Sequence, residues 1–220
     1  MITGPVVAPQ SGGPAKQIVL LLHGYGADGE DLIGLSQPLG SLMPDALFAA
    51  PNAPTRCVQN PFGYEWFPIA FEAMRESARI GVPAARKAVV DYLKDIWART
   101  ALGPADTLLV GFSQGAMTAL HVGLSLPDPV RGIVSFSGAL VPPDDLGAAG
   151  RTYPPVCLVH GDADNVVDPA LTQEAAAALQ RAGIAVSLHV SPGMAHGIAP
   201  DGLEFAARFM LARLSDSAND

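Results

Sequence analysis

The sequence predicts an α/β protein with a mostly parallel, doubly wound sheet and helices on both faces. Three observations lead there. Short apolar runs rich in Val, Ile and Leu alternate with longer helix-compatible stretches along the chain. The chain has 220 residues, 49% of them hydrophobic and 15% charged, which suits one large core and is short for two. The run at 107–119, TLLVGFSQGAMTA, breaks at Gly111-Phe112-Ser113-Gln114-Gly115 and resumes with small residues, the pattern of strand, sharp turn and helix. A single domain over 1–220 is expected, with a short flap-like excursion at about 51–80.

Strands are expected at 18–22, 46–50, 107–110, 132–136, 156–160 and 185–190, where the runs are too short for helices. Such runs suit strands buried on both faces. Helices are expected between them at 31–43, 81–100, 115–125, 171–183 and 200–214. The longest repeats apolar residues on one face through Ala88, Val89, Tyr92, Leu93, Ile96 and Trp97. Right-handed crossovers then connect the parallel strands. Pro and Gly cluster at 1–14, 51–63 and 139–155, but none of these stretches is long or polar enough for a disordered linker. The sequence contains no internal repeat.

Composition removes several functions. The net charge of −8, without a Lys/Arg run, argues against a nucleic-acid or acidic-membrane surface and leaves small neutral or cationic ligands open. The two cysteines, Cys57 and Cys157, lie in no metal-binding spacing and give no disulfide framework. Cys157, inside PVCLVH, reads as a buried small hydrophobe. The first residues lack a basic start and an apolar core, and no run of about 18 apolar residues occurs, so a cytoplasmic protein without stable membrane insertion is expected.

The G-x-S-x-G turn points to nucleophilic chemistry. It lifts the Ser113 hydroxyl clear of the sheet edge, while Gly111 and Gly115 let strand and helix approach closely. An unassisted hydroxyl is a poor nucleophile, so a base is required. Of the five histidines, His121 falls well inside a helix, His189 within a strand, and His160 at a strand end near the active edge, where capping or hydrogen-bonding the loop is a sufficient role. His23 belongs to the early turn LHGYG. His196 occupies a Gly-flanked loop between the last strand and last helix, from which an imidazole can reach the carboxyl edge of the sheet. The carboxylate that fixes its tautomer is sought in VCLVHGDADNVVDP. Asp168 reads as a helix cap before Pro169 and Asp162 as a loop brace, which favours Asp164 at the loop apex. The oxyanion donors are expected from the backbone N–H groups of Gln114 and Tyr25, the latter in the glycine-punctuated turn after the first long strand. The segment FGYEWFPIAF concentrates Phe62, Tyr64, Trp66, Phe67 and Phe71, and is expected to form a flap whose Trp66 and Phe67 line an acyl site.

With LLHGYGADGEDL, PNAP followed by WFPI, GFSQGAM, FSGAL, HGDADNVV and GMAHGI in this order, the chain closely resembles the phospholipase/carboxylesterase family of α/β-hydrolases, whose relatives include acyl-protein thioesterases. The resemblance covers nearly the whole length. It implies an α/β-hydrolase fold, a cofactor-free and metal-free serine esterase, and a triad of Ser113, Asp164 and His196 with oxyanion donors at Tyr25 and Gln114. Small to medium acyl esters are the expected substrates, with lysophospholipids or acyl-protein thioesters as alternatives. Two departures stand out: Asp164-Asn165-Val166-Val167-Asp168 where relatives often read Asp-Pro-Val-Val-Pro, and Gly115-Ala116 where a double glycine is frequent. A peptidase would need a longer groove than any insertion here provides. A non-catalytic binding protein on the same fold would be expected to lose a triad member. A homodimer through an apolar patch near the flap is a further expectation.

Overall fold

A computed structural model describes residues 2–215. In chain order the strands are β1 (Val6–Val7), β2 (Gln17–Leu22), β3 (Ala46–Ala49), β4 (Thr55–Arg56), β5 (Tyr64–Glu65), β6 (Thr107–Phe112), β7 (Gly132–Phe136), β8 (Val156–Gly161) and β9 (Val186–Ser191). The α-helices are α1 (Gly29–Ile33), α2 (Ser36–Leu42), α3 (Met74–Thr100), α4 (Gln114–Ser125), α5 (Ala170–Arg181) and α6 (Pro200–Ser215). Seven strands form the main sheet in the order β1-β3-β2-β6-β7-β8-β9. All its pairings are parallel except the short edge strand β1, which runs antiparallel to β3.

The alternation of side chains along each strand divides the core in two. Ile18, Leu20 and Leu22 of β2, Leu109 of β6, Ile133 of β7 and Leu158 of β8 pack on the face covered by α3, α4 and α5. Val19 and Leu21, Leu108 and Val110, Val134 and Phe136, and Cys157 and Val159 face the other way, against α2 and α6. Both faces are therefore dry, which is why these strands read as unbroken apolar runs rather than as alternating ones.

The order of the sheet places the site. From β2 the chain first builds outward to β3, then returns to the opposite side of β2 with β6. At such a reversal the connections leave in opposite directions and open a crevice beyond the carboxyl ends of the two strands. His23 and Tyr25 follow β2, and Ser113 follows β6.

Besides the short edge strand β1, which the sequence did not mark, three elements differ from the sequence-based expectation. The stretch expected as one helix at 31–43 is two, α1 and α2, interrupted at Gly34 and Leu35. Pro38 explains the restart, because in the first turn of α2 its missing N–H removes no helical bond. Helix α3 begins at Met74 rather than Gly81 and carries Pro83 inside it. Proline there removes one bond, but tertiary packing supports the added turns: a Cβ at Gly81 would lie 2.4 Å from Phe67 Cγ, so only glycine lets that ring sit on the helix. The third difference is a small antiparallel hairpin, β4 with β5, inside the excursion at 51–80.

Candidate active site

Ser113 sits between β6 and α4 with φ 53° and ψ −116°, a conformation that costs a non-glycine residue about 1–3 kcal/mol. The neighbours enforce it. A Cβ at Gly115 would lie 2.0 Å from the Leu22 carbonyl oxygen, and one at Gly111 would lie 2.4 Å from the Gly115 carbonyl oxygen. The Ser113 N–H is tied to the Phe136 carbonyl at 2.9 Å, which anchors the turn to β7. The backbone thus has one available path, and it presents the hydroxyl at the crevice.

Two loops meet this hydroxyl. His196 comes from the connection between β9 and α6, and its Nε2 lies 3.0 Å from Ser113 Oγ. Its Nδ1 lies 2.7 Å from Asp164 Oδ2, in the loop after β8. A carboxylate only accepts, so Nδ1 carries the proton and Nε2 is left to accept from the serine hydroxyl. The Phe112 ring, 4.8 Å from the imidazole between centroids, packs against it.

The Asp164 side chain is fully buried and saturated with donors. Its Oδ1 accepts the N–H groups of Val166 and Val167, each at 2.9 Å, and its Oδ2 also lies 3.1 Å from Nε2 of His160. Burial pushes the carboxyl upward, but the bonds from His196, Val167 and Val166 outweigh it and hold Asp164 below the ordinary carboxylate value. The same two amide bonds form a local turn that stiffens the Asn165 loop without the proline common in relatives. Asp162 does different work: its Oδ1 accepts the Gly193 N–H at 2.6 Å and clasps the loop that bears His196. Asp168 accepts the Ala170 N–H at 2.9 Å beside the first turn of α5.

A cavity of about 220 Å³ opens at this point. Tyr25, Asp31, Ser113, Gln114 and His196 contribute polar groups to its lining, and Ile69, Met74, Phe112, Met117, Val166 and Val167 contribute apolar ones. Gln114 heads α4, where the first backbone N–H groups have no partner within the helix. The Tyr25 side chain is held by the excursion. Burial, then bonds with Cys57 and Glu65, push its hydroxyl above the ordinary tyrosine value. Among the described residues no group of three His, Cys, Asp or Glu could hold a metal ion.

The flap expectation needs correction. Trp66 and Phe67 are 3% and 2% exposed and belong to the core under α3, not to the cavity wall. Their surroundings explain why. Trp66 Nε1 donates to the His23 carbonyl at 2.9 Å, and the Phe67 ring occupies the space beside Gly81. Backbone bonds reinforce this: the Gln114 side chain accepts from Trp66 N and donates to Phe67 O, both at 2.7 Å. The two aromatics brace the turn that carries Ser113 through Gln114. From the same segment the cavity takes Ile69, with Met74 from the start of α3. Phe62 points to solvent, Tyr64 is partly buried, and the Phe71 side chain lies outside the described residues.

The other histidines are structural in their contacts. The Ala53 N–H donates to His23 Nε2 at 3.0 Å, so His23 Nδ1 carries the proton and donates to the Gly24 carbonyl at 2.8 Å. Burial lowers its pKa, as it does for His121, whose Nδ1 meets the Val141 carbonyl at 2.9 Å. His189 pairs with Asp201 at 2.8 Å near the protein surface. Cys57 and Cys157 are both free and buried, and burial pushes the Cys157 thiol up to about 12.

Comparison with known proteins agrees with this architecture. The model of the phospholipase/carboxylesterase family matches residues 4–214. The chain is 31% identical to acyl-protein thioesterase 1 of Saccharomyces cerevisiae over 222 aligned positions, covering 92% of this chain and 95% of that protein. It is 28% identical to the esterase YpfH of Escherichia coli, covering 88% of this chain and 81% of the relative. Among solved structures, esterase PE8 superposes with a TM-score of 0.91 at 48% identity, covering 95% of this chain and 97% of that one. The chain belongs to the phospholipase/carboxylesterase family and is a carboxylic ester hydrolase on the α/β-hydrolase fold.

Proposed function

We propose that this single α/β-hydrolase domain, with 51–80 as an excursion, is a serine carboxylesterase that cleaves small to medium acyl esters through an acyl-enzyme on Ser113. One observation carries the reading: Ser113, His196 and Asp164 form an unbroken hydrogen-bonded chain at 3.0 and 2.7 Å beside a mostly apolar cavity. In this mechanism His196 Nε2 takes the Ser113 proton as Oγ attacks the acyl carbonyl. The backbone N–H groups of Tyr25 and Gln114 hold the negative oxygen that develops. His196 then gives its proton to the leaving alcohol, and the acyl group remains on Ser113. Water, deprotonated by the same imidazole, releases the acid and restores the hydroxyl. Asp164 stays ionised and stabilises the imidazolium in both halves.

Ile69, Met74, Met117 and Val166 are assigned to the acyl chain, because they are apolar side chains lining the same cavity as Ser113. A second reading replaces the ester by an acyl thioester. It is favoured by the match to a yeast acyl-protein thioesterase over almost both full lengths. A fluorophosphonate probe tests the common core of both readings. It should label Ser113 stoichiometrically and abolish hydrolysis, with no label in Ser113→Ala. Labelling that survives this substitution would place the nucleophile elsewhere, and a parallel ester and thioester panel separates the two leaving groups.

A further inference from the structure

A second histidine touches the same carboxylate from the opposite side. His160, the penultimate residue of β8, is 1% exposed, and its Nε2 lies 3.1 Å from Asp164 Oδ2 and 2.9 Å from the Val167 carbonyl oxygen. The carbonyl can only accept, so Nε2 carries a proton and donates it to Val167, with Asp164 Oδ2 in close electrostatic contact beside it. At the other end of the ring, Nδ1 lies 2.5 Å from Thr172 Oγ1, and that hydroxyl also approaches the Gly138 carbonyl at 3.3 Å. However the Thr172 proton is placed, Nε2 remains the donor. The proton-bearing nitrogen of His160 therefore lies 3.1 Å from Oδ2, the same oxygen that accepts the His196 Nδ1–H.

We propose that His160 is a positioning residue that tempers Asp164: by drawing on the charge of Oδ2, it limits how strongly Asp164 holds a proton on His196. The inference rests on the triad reading above. Its logic is electrostatic. A proton-bearing nitrogen 3.1 Å from a carboxylate oxygen stabilises its negative charge and makes it a weaker partner for His196, and in a buried site that effect is little screened. Without His160 the full charge of Oδ2 would face His196, the imidazolium would persist to higher pH, and less of the resting enzyme would hold a base able to accept from Ser113. Asp164 would stay in place, because the Val166 and Val167 amides still hold Oδ1.

Other charges around the imidazole are few. His196 shares the cavity lining with Asp31 of α1 and Tyr25 of the turn after β2. On its own side Asp162 is engaged with Gly193 and Asp168 with Ala170, and β9 and α6 bring the separate pair of His189 with Asp201. The loop after β8 supplies Asp164, the one carboxylate whose contact with His196 the geometry establishes.

The test is the pH dependence of kcat/KM for a short ester, with thermal melts, in four proteins: the native chain, His160→Phe, His160→Gln and Thr172→Val. Phenylalanine fills the space but cannot donate, whereas glutamine can place an N–H near the position of Nε2. In His160→Phe the acid limb should move to higher pH by about 0.5–1 unit, roughly a three- to tenfold loss on that limb, while the alkaline plateau stays within about threefold. Glutamine should return the limb to within about 0.2 unit of the native one. Thr172→Val, which frees Nδ1 and loosens the ring, should move it by a smaller amount in the same direction. A limb that stays put or moves to lower pH in His160→Phe overturns the proposal, as does equal movement in the phenylalanine and glutamine variants. A purely structural role would lower the melt and scale activity equally at every pH. Should His160→Phe fail to fold, an unmoved limb in Thr172→Val overturns it instead. Ser113→Ala run alongside keeps the outcomes apart, since activity surviving there contradicts the triad reading and not the role of His160.

Discussion

The carboxyl edge of the main sheet and the excursion at 51–80 both looked functional, yet they are built on opposite principles. At the sheet edge polar side chains are buried and held by several partners each: Asp164 has three donors and a close contact with His160, and His196 is fixed at both nitrogens. In the excursion the Trp66 and Phe67 side chains are buried and contribute bulk, and the polar contacts that hold them in place run largely through backbone atoms and Gln114. One region lines up hydrogen-bonding atoms on the Ser113 hydroxyl. The other keeps the turn beneath them rigid. Chemistry and support are thus adjacent but separable, and substitutions should tell them apart.

The sharpest division comes at Ser113. Ser113→Ala removes a hydroxyl and little volume, so ester hydrolysis should fall by about four orders of magnitude or more while the circular dichroism spectrum and melt stay native. Next come the two aspartates of one loop. Asp164→Asn should lower kcat by about 10⁴-fold through loss of the His196 tautomer, whereas Asp162→Asn should act mainly on the melt by releasing Gly193. A reversal of these effects would move the triad carboxylate to Asp162.

Within the excursion the comparison becomes quantitative. Trp66→Ala should cost about 3–5 kcal/mol of stability in denaturant titrations and slow esters of every acyl length by a similar factor. Ile69→Ala or Met74→Ala should instead leave acetyl esters nearly unaffected and penalise longer chains, at up to about 0.8 kcal/mol, roughly fourfold in kcat/KM, for each methylene left without contact. A length-dependent loss in Trp66→Ala would return that residue to the acyl wall.

The smallest effect concerns pH and belongs to the scaffold. Burial lowers the pKa of His23 and His121 from the ordinary 6.5, so below that pH the unfolded chain binds protons that the folded chain refuses. Stability should therefore decline as pH falls from about 7.5 to 5.5. Asp164 is depressed below 3.8, so its contribution is present above that value and is lost only as pH falls through its lower folded value. Urea midpoints unchanged between pH 7.5 and 5.5 would remove the two histidines from this account.

The contrast also explains what the sequence could reveal. The parallel strands were legible because both faces are buried, which produces unbroken apolar runs such as IVLLL and TLLV. The elbow was legible because the close approach of Gly115 to Leu22 and of Gly111 to Gly115 demands glycine at fixed spacing. The aromatic segment was not. Whether Trp66 faces a substrate or the core depends on the His23 carbonyl and the Gln114 amide, 43 and 48 positions away. The start of α3 was hidden in the same way, since the Pro83 signal is local and the packing of Phe67 on Gly81 is not. His160 appeared only as a loop brace, because its approach to Asp164 depends on how the loop folds back over β8.

The central claim is that the acyl group passes through Ser113. Acid quenching during turnover of a slowly deacylated ester, followed by mass spectrometry of the digested protein, measures it directly. The account predicts the mass of one acyl group on the peptide that contains Ser113, accumulating in a burst and absent from Ser113→Ala. An acyl group on another residue, or full turnover without any covalent adduct on a timescale that resolves the burst, would contradict it.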